Sequence, residues 1–246
     1  MDPIIEFKNV VKSFDGKTIL DGVSFEIFKG ETFCIIGGSG TGKSVTLKLL
    51  LGLMPIDSGE ILFRGKNIES LSEIELNKVR LNFGMVFQGS ALFDSMSVFD
   101  NVAYPLYEID EYSDAEIERI VFEKLKVVDL VDAADLFPAD LSGGMKKRIG
   151  LARAIATDPE VVLYDEPTAG LDPTNVNRID GLILHLQKQF AVTSMLVTHN
   201  MESVYRVADR VGLLYKKKLN FIGSLDEFKN SSNPLVGKFV RGEIGD

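Results

Sequence analysis

The stretch Gly37-Gly38-Ser39-Gly40-Thr41-Gly42-Lys43-Ser44 limits what this chain can fold into more than any other. It follows an unbroken apolar run, Phe33-Cys34-Ile35-Ile36, and precedes Leu47, Leu50 and Leu51 at helical spacing, with Gly52 near the end. A short apolar run of this kind suits a strand buried on both faces, as in a parallel sheet. Strand, glycine loop and helix in that order form the opening unit of an α/β protein. The loop fits G-x-x-x-x-G-K-[ST], with Gly37, Gly42, Lys43 and Ser44 at the fixed points. Its glycines let the backbone curl so that several N–H groups face one phosphate chain. The helix, predicted to begin near Gly42, turns its positive dipole end toward the same phosphates. Lys43 is then placed for the β- and γ-phosphates, and the Ser44 hydroxyl for Mg²⁺.

A second apolar run, Val161-Val162-Leu163-Tyr164, ends in Asp165 and Glu166. A carboxylate at the end of a buried strand is costly unless it faces a site. Asp165 fits the acid that orients Mg²⁺ in a phosphate-loop enzyme. Neighbours along a strand point to opposite sides, so both acids reach one cleft only if the chain turns at the strand's exit. Glu166 is then placed to orient and polarise an attacking water. Leu141-Ser142-Gly143-Gly144-Met145 lies upstream, and His199 follows a further apolar strand at residues 194–198. Alone, a Ser-Gly-Gly stretch is more often a loop and helix cap, and a lone histidine is more often structural.

The rest of the chain reads around these elements. Residues 4–10 and 19–28 read as strands, with a hairpin turn at Gly16-Lys17. Ser113-Asp114-Ala115-Glu116 resembles a helix capping box, and Ile117, Ile120, Val121, Leu125 and Val128 recur behind it at helical spacing. Another helix is predicted after Ser142, carrying Lys146, Arg148, Leu151 and Ile155. A helix at residues 176–190 and a strand pair at 210–215 and 218–222 follow. The expected organisation is one domain. Residues 1–88 and 158–222 form an α/β core, residues 89–157 an inserted helical lobe, and residues 223–246 a tail.

A net charge of −9 argues against a general nucleic-acid binder and against broad attachment to anionic lipid. The one cysteine, Cys34, excludes an intrachain disulfide and reads as a buried strand thiol. Met1-Asp2-Pro3-Ile4-Ile5-Glu6 has no signal-like pattern, and no apolar run approaches the roughly 20 residues that span a bilayer. The expectation is a cytosolic protein that meets a membrane only through partners.

In this order, the elements resemble the ATP-binding-cassette (ABC) transport ATPases over essentially the whole chain. The resemblance implies a P-loop NTPase (RecA-like) α/β core with an antiparallel β subdomain and an inserted α-helical subdomain. It implies ATP and Mg²⁺ as ligands. Gly37, Gly38, Ser39, Gly40, Thr41, Gly42, Lys43, Ser44 and Val45 would bind the nucleotide, and Ser44, Gln88 and Asp165 the metal. Glu166, His199, Gln88 and Lys43 would be the catalytic set. Phe14 stands where the family stacks an aromatic ring on adenine, with a core phenylalanine as the competing reading. Ser142, Gly143 and Gly144 would cap the γ-phosphate of ATP held by a second copy of the chain. Asp172, in Ala169-Gly170-Leu171-Asp172, would lie in the loop that crosses this interface. His185 reads as a surface helix residue. The chain departs from the family pattern at Met145, usually glutamine, and Val45, usually threonine. Neither change removes a phosphate-binding backbone group.

Residues 84–106, the Leu-Ser-Gly-Gly-Met loop and residues 233–242 resemble one branch, the ATPases of bacterial Mla/MCE lipid-transport systems. That resemblance implies an ATPase homodimer at the cytoplasmic face of the inner membrane, with an integral membrane permease and an MCE-domain protein. Some such systems add a STAS-domain protein. Leu92, Phe93, Met96, Val98 and Phe99 either build the groove for a permease helix or pack the helical lobe. Leu235, Val236, Phe239 and Val240 either dock a neighbouring ATPase or fold back on their own core. The alternative function is the ATPase subunit of an importer for small solutes. A chromosome or ribosome ATPase lacks its usual coiled coil or second cassette here, and a small-molecule kinase leaves the Ser-Gly-Gly loop unexplained.

Overall fold

The computed structural model describes residues 2–109 and 111–243. The strands β1 (Ile5–Phe14) and β2 (Lys17–Ile27) form an antiparallel hairpin that pairs Phe14 with Lys17. Its turn is Asp15-Gly16, with φ of 48° and 76°. Positive φ at both central residues is the backbone of a type I′ hairpin turn. The turn therefore sits one residue earlier than the sequence reading places it, and Lys17 begins the second strand. After β3 (Thr32–Ile36) and α1 (Lys43–Leu50), the chain forms β4 (Ser58–Phe63) and β5 (Lys66–Asn67). These complete a four-stranded sheet in the order β2-β1-β4-β5.

Next come α2 (Glu73–Arg80), β6 (Phe83–Val86), α3 (Val98–Ile109), α4 (Asp114–Val127) and α5 (Gly143–Ala154). The order then runs β7 (Val161–Asp165), α6 (Pro173–Phe190), β8 (Thr193–Thr198), α7 (Met201–Val207), β9 (Arg210–Tyr215), β10 (Lys218–Ser224), α8 (Leu225–Lys229) and α9 (Pro234–Val240). The larger sheet has the order β10-β9-β3-β8-β7-β6. All of its pairings are parallel except β9 with β10. The mostly parallel sheet, the separate antiparallel sheet and the helices between β6 and β7 are the α/β core, β subdomain and helical lobe expected from the sequence.

Alternation along β3 divides the core into two. Cys34 and Ile36 face a cluster that includes α6, α7 and the helical lobe, whereas Phe33 and Ile35 face one shared with α1 and the antiparallel sheet. Phe25 bridges the two sheets, stacking on Phe7 at 4.3 Å and on Phe33 at 5.3 Å between ring centroids. Such ring pairs contribute about 0.5–1.5 kcal/mol beyond simple burial. Burial pushes the Cys34 thiol well above its ordinary value, so it stays protonated and unreactive.

The helical lobe forms for the reasons its sequence supplies. Ser113 and Glu116 make a reciprocal capping box, and Ile117, Ile120, Val121, Leu125 and Val128 are all buried. On β6, Gly84 meets the end of α5 so closely that an added Cβ would stand 2.1 Å from the Ala154 carbonyl oxygen. Gly84→Ala is therefore expected to lower stability by about 1–3 kcal/mol, the usual cost of overpacking. An unchanged thermal unfolding midpoint in that variant would contradict the contact.

Candidate active site

The loops carrying the candidate residues leave the carboxyl ends of β3, β6, β7 and β8, the edge where open parallel sheets bind ligands. After β3, Gly40 and Gly42 take positive φ of 70° and 104°, and Lys43 opens α1. No side chain caps that helix, so its first N–H groups are left for an anion. The Lys43 ammonium curls back over the loop. It donates to the carbonyls of Gly37 (2.9 Å) and Gly38 (2.7 Å) and lies 3.6 Å from Glu166 Oε1. Thr41 Oγ1 donates to the same Gly38 carbonyl at 2.9 Å.

Ser44 Oγ donates to Asp165 Oδ1 at 2.7 Å, joining the first loop to the end of β7. This pair fits a Mg²⁺ site. The metal takes one or two protein oxygens and completes its shell with phosphate and water. Glu166 then adopts φ of 46°, a left-handed backbone that non-glycine residues seldom hold. That turn brings its carboxylate into the cleft beside Asp165. It is 8% exposed, accepts from Thr198 Oγ1 at 3.0 Å and the His199 amide at 3.3 Å, and pairs with His199 Nδ1 at 2.9 Å. Strain of this kind persists only where neighbours over-determine it, and it clusters at functional sites. His199 keeps a largely exposed ring, so it can hold the glutamate on one side and reach a ligand on the other.

Phe14, Gly37, Gly38, Ser39, Gly40, Gly42, Lys43, Ser44, Val45, Gln88, Glu166 and His199 line one open cavity of about 850 Å³. Phe14 is 40% exposed at its rim, which is not the setting of a core phenylalanine. Its position follows from the β1–β2 hairpin, whose tip delivers it to the phosphate loop. The cavity also takes Ile19, Met201, Phe239, Val240 and Gly242, none of which the sequence reading marked as site residues. The last three arrive because α9 folds back onto its own chain, with Val236 buried and Leu235 and Phe239 packed against the core.

Ser142, Gly143, Gly144 and Asp172 do not line this cavity. Ser142 caps α5, its hydroxyl accepting from the Met145 amide at 3.3 Å, and Asp172 caps α6 by accepting from Thr174 and Asn175. A Cβ on Gly144 would stand 2.3 Å from the Asn175 side-chain oxygen, so a side chain there would have to displace the Asn175 amide from its bond to Asp172. The result is a second polar patch in which Ser142, Gly143 and Asp172 are exposed. His185 is exposed on α6 beside Phe190.

Of the residues expected to form a groove, Val98 is fully buried and Leu92 and Phe99 pack the helical lobe. Phe93 instead lines a surface groove with Phe83, Met85, Phe87 and Tyr104. Among the described residues, no helix is long and apolar enough to cross a membrane.

The family profile described as "ABC transporter" matches residues 20–169. The chain is 42% identical over 242 residues to the probable ribonucleotide transport ATP-binding protein mkl of Mycobacterium leprae, covering 98% of this chain and 70% of that protein. It is 40% identical over 240 residues to the intermembrane phospholipid transport system ATP-binding protein MlaF of Haemophilus influenzae, covering 98% and 91%. In structure it resembles the dimeric ATP-binding cassette MJ0796, solved in a post-hydrolysis state bound to ADP and Pi. The TM-score is 0.82 at 31% identity, over 90% of this chain and 98% of the other. Profile, relatives and fold agree, and the chain belongs to the ABC transporter family, as one of its ATP-binding subunits.

Proposed function

We propose that this chain hydrolyses ATP to drive a transporter that moves phospholipid between the inner and outer membranes of a bacterium. The carrying observation is the division of its phosphate-binding groups. Lys43, Ser44, Glu166 and His199 share one cavity, whereas the Ser142–Gly144 patch lies off it. A nucleotide seated in that cavity does not meet the Ser142–Gly144 patch of its own chain. Two copies packed head-to-tail can put the Ser142 loop of each onto the ATP held by the other, giving two composite sites.

In each site the glycine-loop amides and Lys43 hold the β- and γ-phosphates. Ser44 and Asp165, with Gln88 nearby, would hold Mg²⁺, which neutralises charge on the phosphates. Glu166 orients and polarises the attacking water, and His199 keeps its carboxylate in place. Catalysis is then mainly positioning and charge stabilisation. Closing around ATP and opening after phosphate leaves supply the stroke. The groove beside Phe93 suits an apolar helix of a permease at the cytoplasmic face of the inner membrane.

Phe14→Ala is expected to weaken ATP affinity roughly tenfold, in line with about 1–3 kcal/mol for a base stacked on an aromatic ring. Turnover at saturation should change little. Equal nucleotide affinity in titrations of wild type and variant would remove Phe14 from the site.

The likeness to MlaF supports the phospholipid reading, with an integral permease, an MCE-domain protein and in some systems a STAS-domain protein as partners. The likeness to mkl, named for ribonucleotide transport, favours a second reading, transport of a small polar solute. Co-purification in mild detergent from native membranes, with mass spectrometry of proteins and lipids, separates them. A permease with an MCE-domain protein and bound phospholipid supports the first reading. A permease with a soluble solute-binding protein supports the second and leaves the ATPase chemistry intact.

A further inference from the structure

Lys147 is buried on α5, one turn after the Ser142–Gly144 patch, and the chemistry above makes no use of it. Its ammonium donates to the carbonyl of Gln88 and lies 3.5 Å from the carbonyl of Glu166. These are the backbones of two residues that face the nucleotide cavity. Two turns further along the same helix, Arg153 donates to the carbonyls of Ser90 (2.9 Å) and Ala91 (2.8 Å). Ser90 and Ala91 hold φ of 63° and 48°, and Glu166 holds 46°. The helix therefore grips two strained segments from one side, and each strained backbone depends on neighbours that over-determine it.

Lysine is an unusual choice for such a place. Burial lowers its pKa from the ordinary value, and the charges of Asp165 and Glu166 oppose that shift. An apolar side chain of similar length would avoid the desolvation but could not bind either carbonyl. The position is therefore explained by what the ammonium holds.

We infer that Lys147 is a positioning residue that links the two ATP sites of the dimer, tying the helix that caps the partner's ATP to the backbones of Gln88 and Glu166 in its own site. The inference rests on the composite-site reading. When the Ser142 patch docks on the partner's nucleotide, α5 settles, and Lys147 passes that order to the backbones of Gln88 and Glu166 that it holds. Each chain then completes its own catalytic geometry only when it has engaged the other chain's ATP. Hydrolysis at the two sites is coupled as a consequence.

The test compares wild type, Lys147→Met and Lys147→Arg in the full chain. Steady-state ATPase is measured against ATP concentration, and affinity by titration with a fluorescent ATP analogue. Lys147→Met is expected to lower kcat by roughly 10- to 100-fold, the scale of a small misplacement of catalytic groups. It should leave nucleotide affinity within about twofold, because the residues lining the cavity are unchanged. The Hill coefficient for ATP, above one in wild type, should fall toward one. Lys147→Arg, which can still donate to carbonyls, should recover most of both kcat and cooperativity.

Wild-type kcat and cooperativity in Lys147→Met would overturn the inference. So would a loss of kcat matched by an equal loss of affinity, or one that Lys147→Arg does not repair, since either marks a merely structural role. If wild type itself shows no cooperativity and turns over as a monomer, the composite-site reading fails first. Cooperative wild type with an unaffected Lys147→Met sinks this inference alone.

Discussion

Glu166→Gln should bind ATP as tightly as wild type or more tightly, yet hydrolyse it roughly 10²–10⁴-fold more slowly, the range for loss of an acid–base group. That loss corresponds to about 3–5 kcal/mol of barrier at about 1.4 kcal/mol per tenfold. The amide keeps the shape of the side chain; its oxygen, in the place of Oε2, still accepts from the Thr198 hydroxyl and the His199 amide, while its NH2 group, in the place of Oε1, can donate to His199 Nδ1. It therefore keeps the turn at φ of 46° intact. What it loses is the negative charge that polarises water, together with the anion 3.6 Å from the Lys43 ammonium. Removing that anion leaves less negative charge beside the ammonium to compete with the triphosphate, which is why affinity should not fall. ATP should then accumulate unhydrolysed, and the dimer should persist long enough to be seen by light scattering. Single-turnover phosphate release and nucleotide titration check the two halves separately. Turnover near that of wild type would take the role away from Glu166.

Much of this site was legible because its chemistry is local in sequence. The phosphate loop needs only glycines, a lysine and a serine between a strand and a helix, and residues 33–51 display all of them. Asp165 and Glu166 announce themselves because two acids end an otherwise apolar run. What was not legible comes from elements that meet only in three dimensions. Met201, Phe239 and Val240 reach the cavity from α7 and α9 and look like ordinary apolar residues of amphipathic helices. Lys147 is hidden differently. It stands in the pair Lys146-Lys147, and only the rotation of α5 decides that one lysine is half-exposed and the other buried against two loops.

The antiparallel sheet shows the same limit on the fold side. The β1–β2 hairpin carries strand alternation and an Asp-Gly turn. By contrast β4 opens on exposed Ser58, Gly59 and Glu60, and β5 has only two residues. β4 is set by pairing with β1, distant in the chain, and β5 only by pairing with β4, a tertiary effect that outweighs local preference. The tail sequence was compatible with docking either on a neighbour or on its own core. The burial of Val236 within its own chain follows from the path that α8 sets after β10, which no local pattern encodes.

Ser142→Arg tests the head-to-tail arrangement from the opposite side. Ser142 is exposed, does not line the cavity of its own chain, and its hydroxyl accepts from the start of its own helix. Its replacement costs about 1 kcal/mol of helix capping, so the monomer should fold and bind ATP much as wild type does. In the composite site, however, this loop must approach a phosphate closely, and the small residues Gly143 and Gly144 continue that close surface. A guanidinium is attracted to phosphate, but its length holds the two chains apart, and a displacement of about 1 Å can already cost 100-fold in rate. Steric exclusion should therefore win over attraction, with hydrolysis falling at least about that much. Ser142→Ala separates the effects, since it loses the cap without adding bulk and should retain far more activity than the arginine variant. The decisive comparison is in the Glu166→Gln background, where ATP should drive dimerisation of the single variant but not of the variant that also carries Ser142→Arg. A dimer formed by the double variant at saturating ATP would mean that the Ser142 patch is not at the interface, and that the second half of each site must be sought elsewhere on the chain.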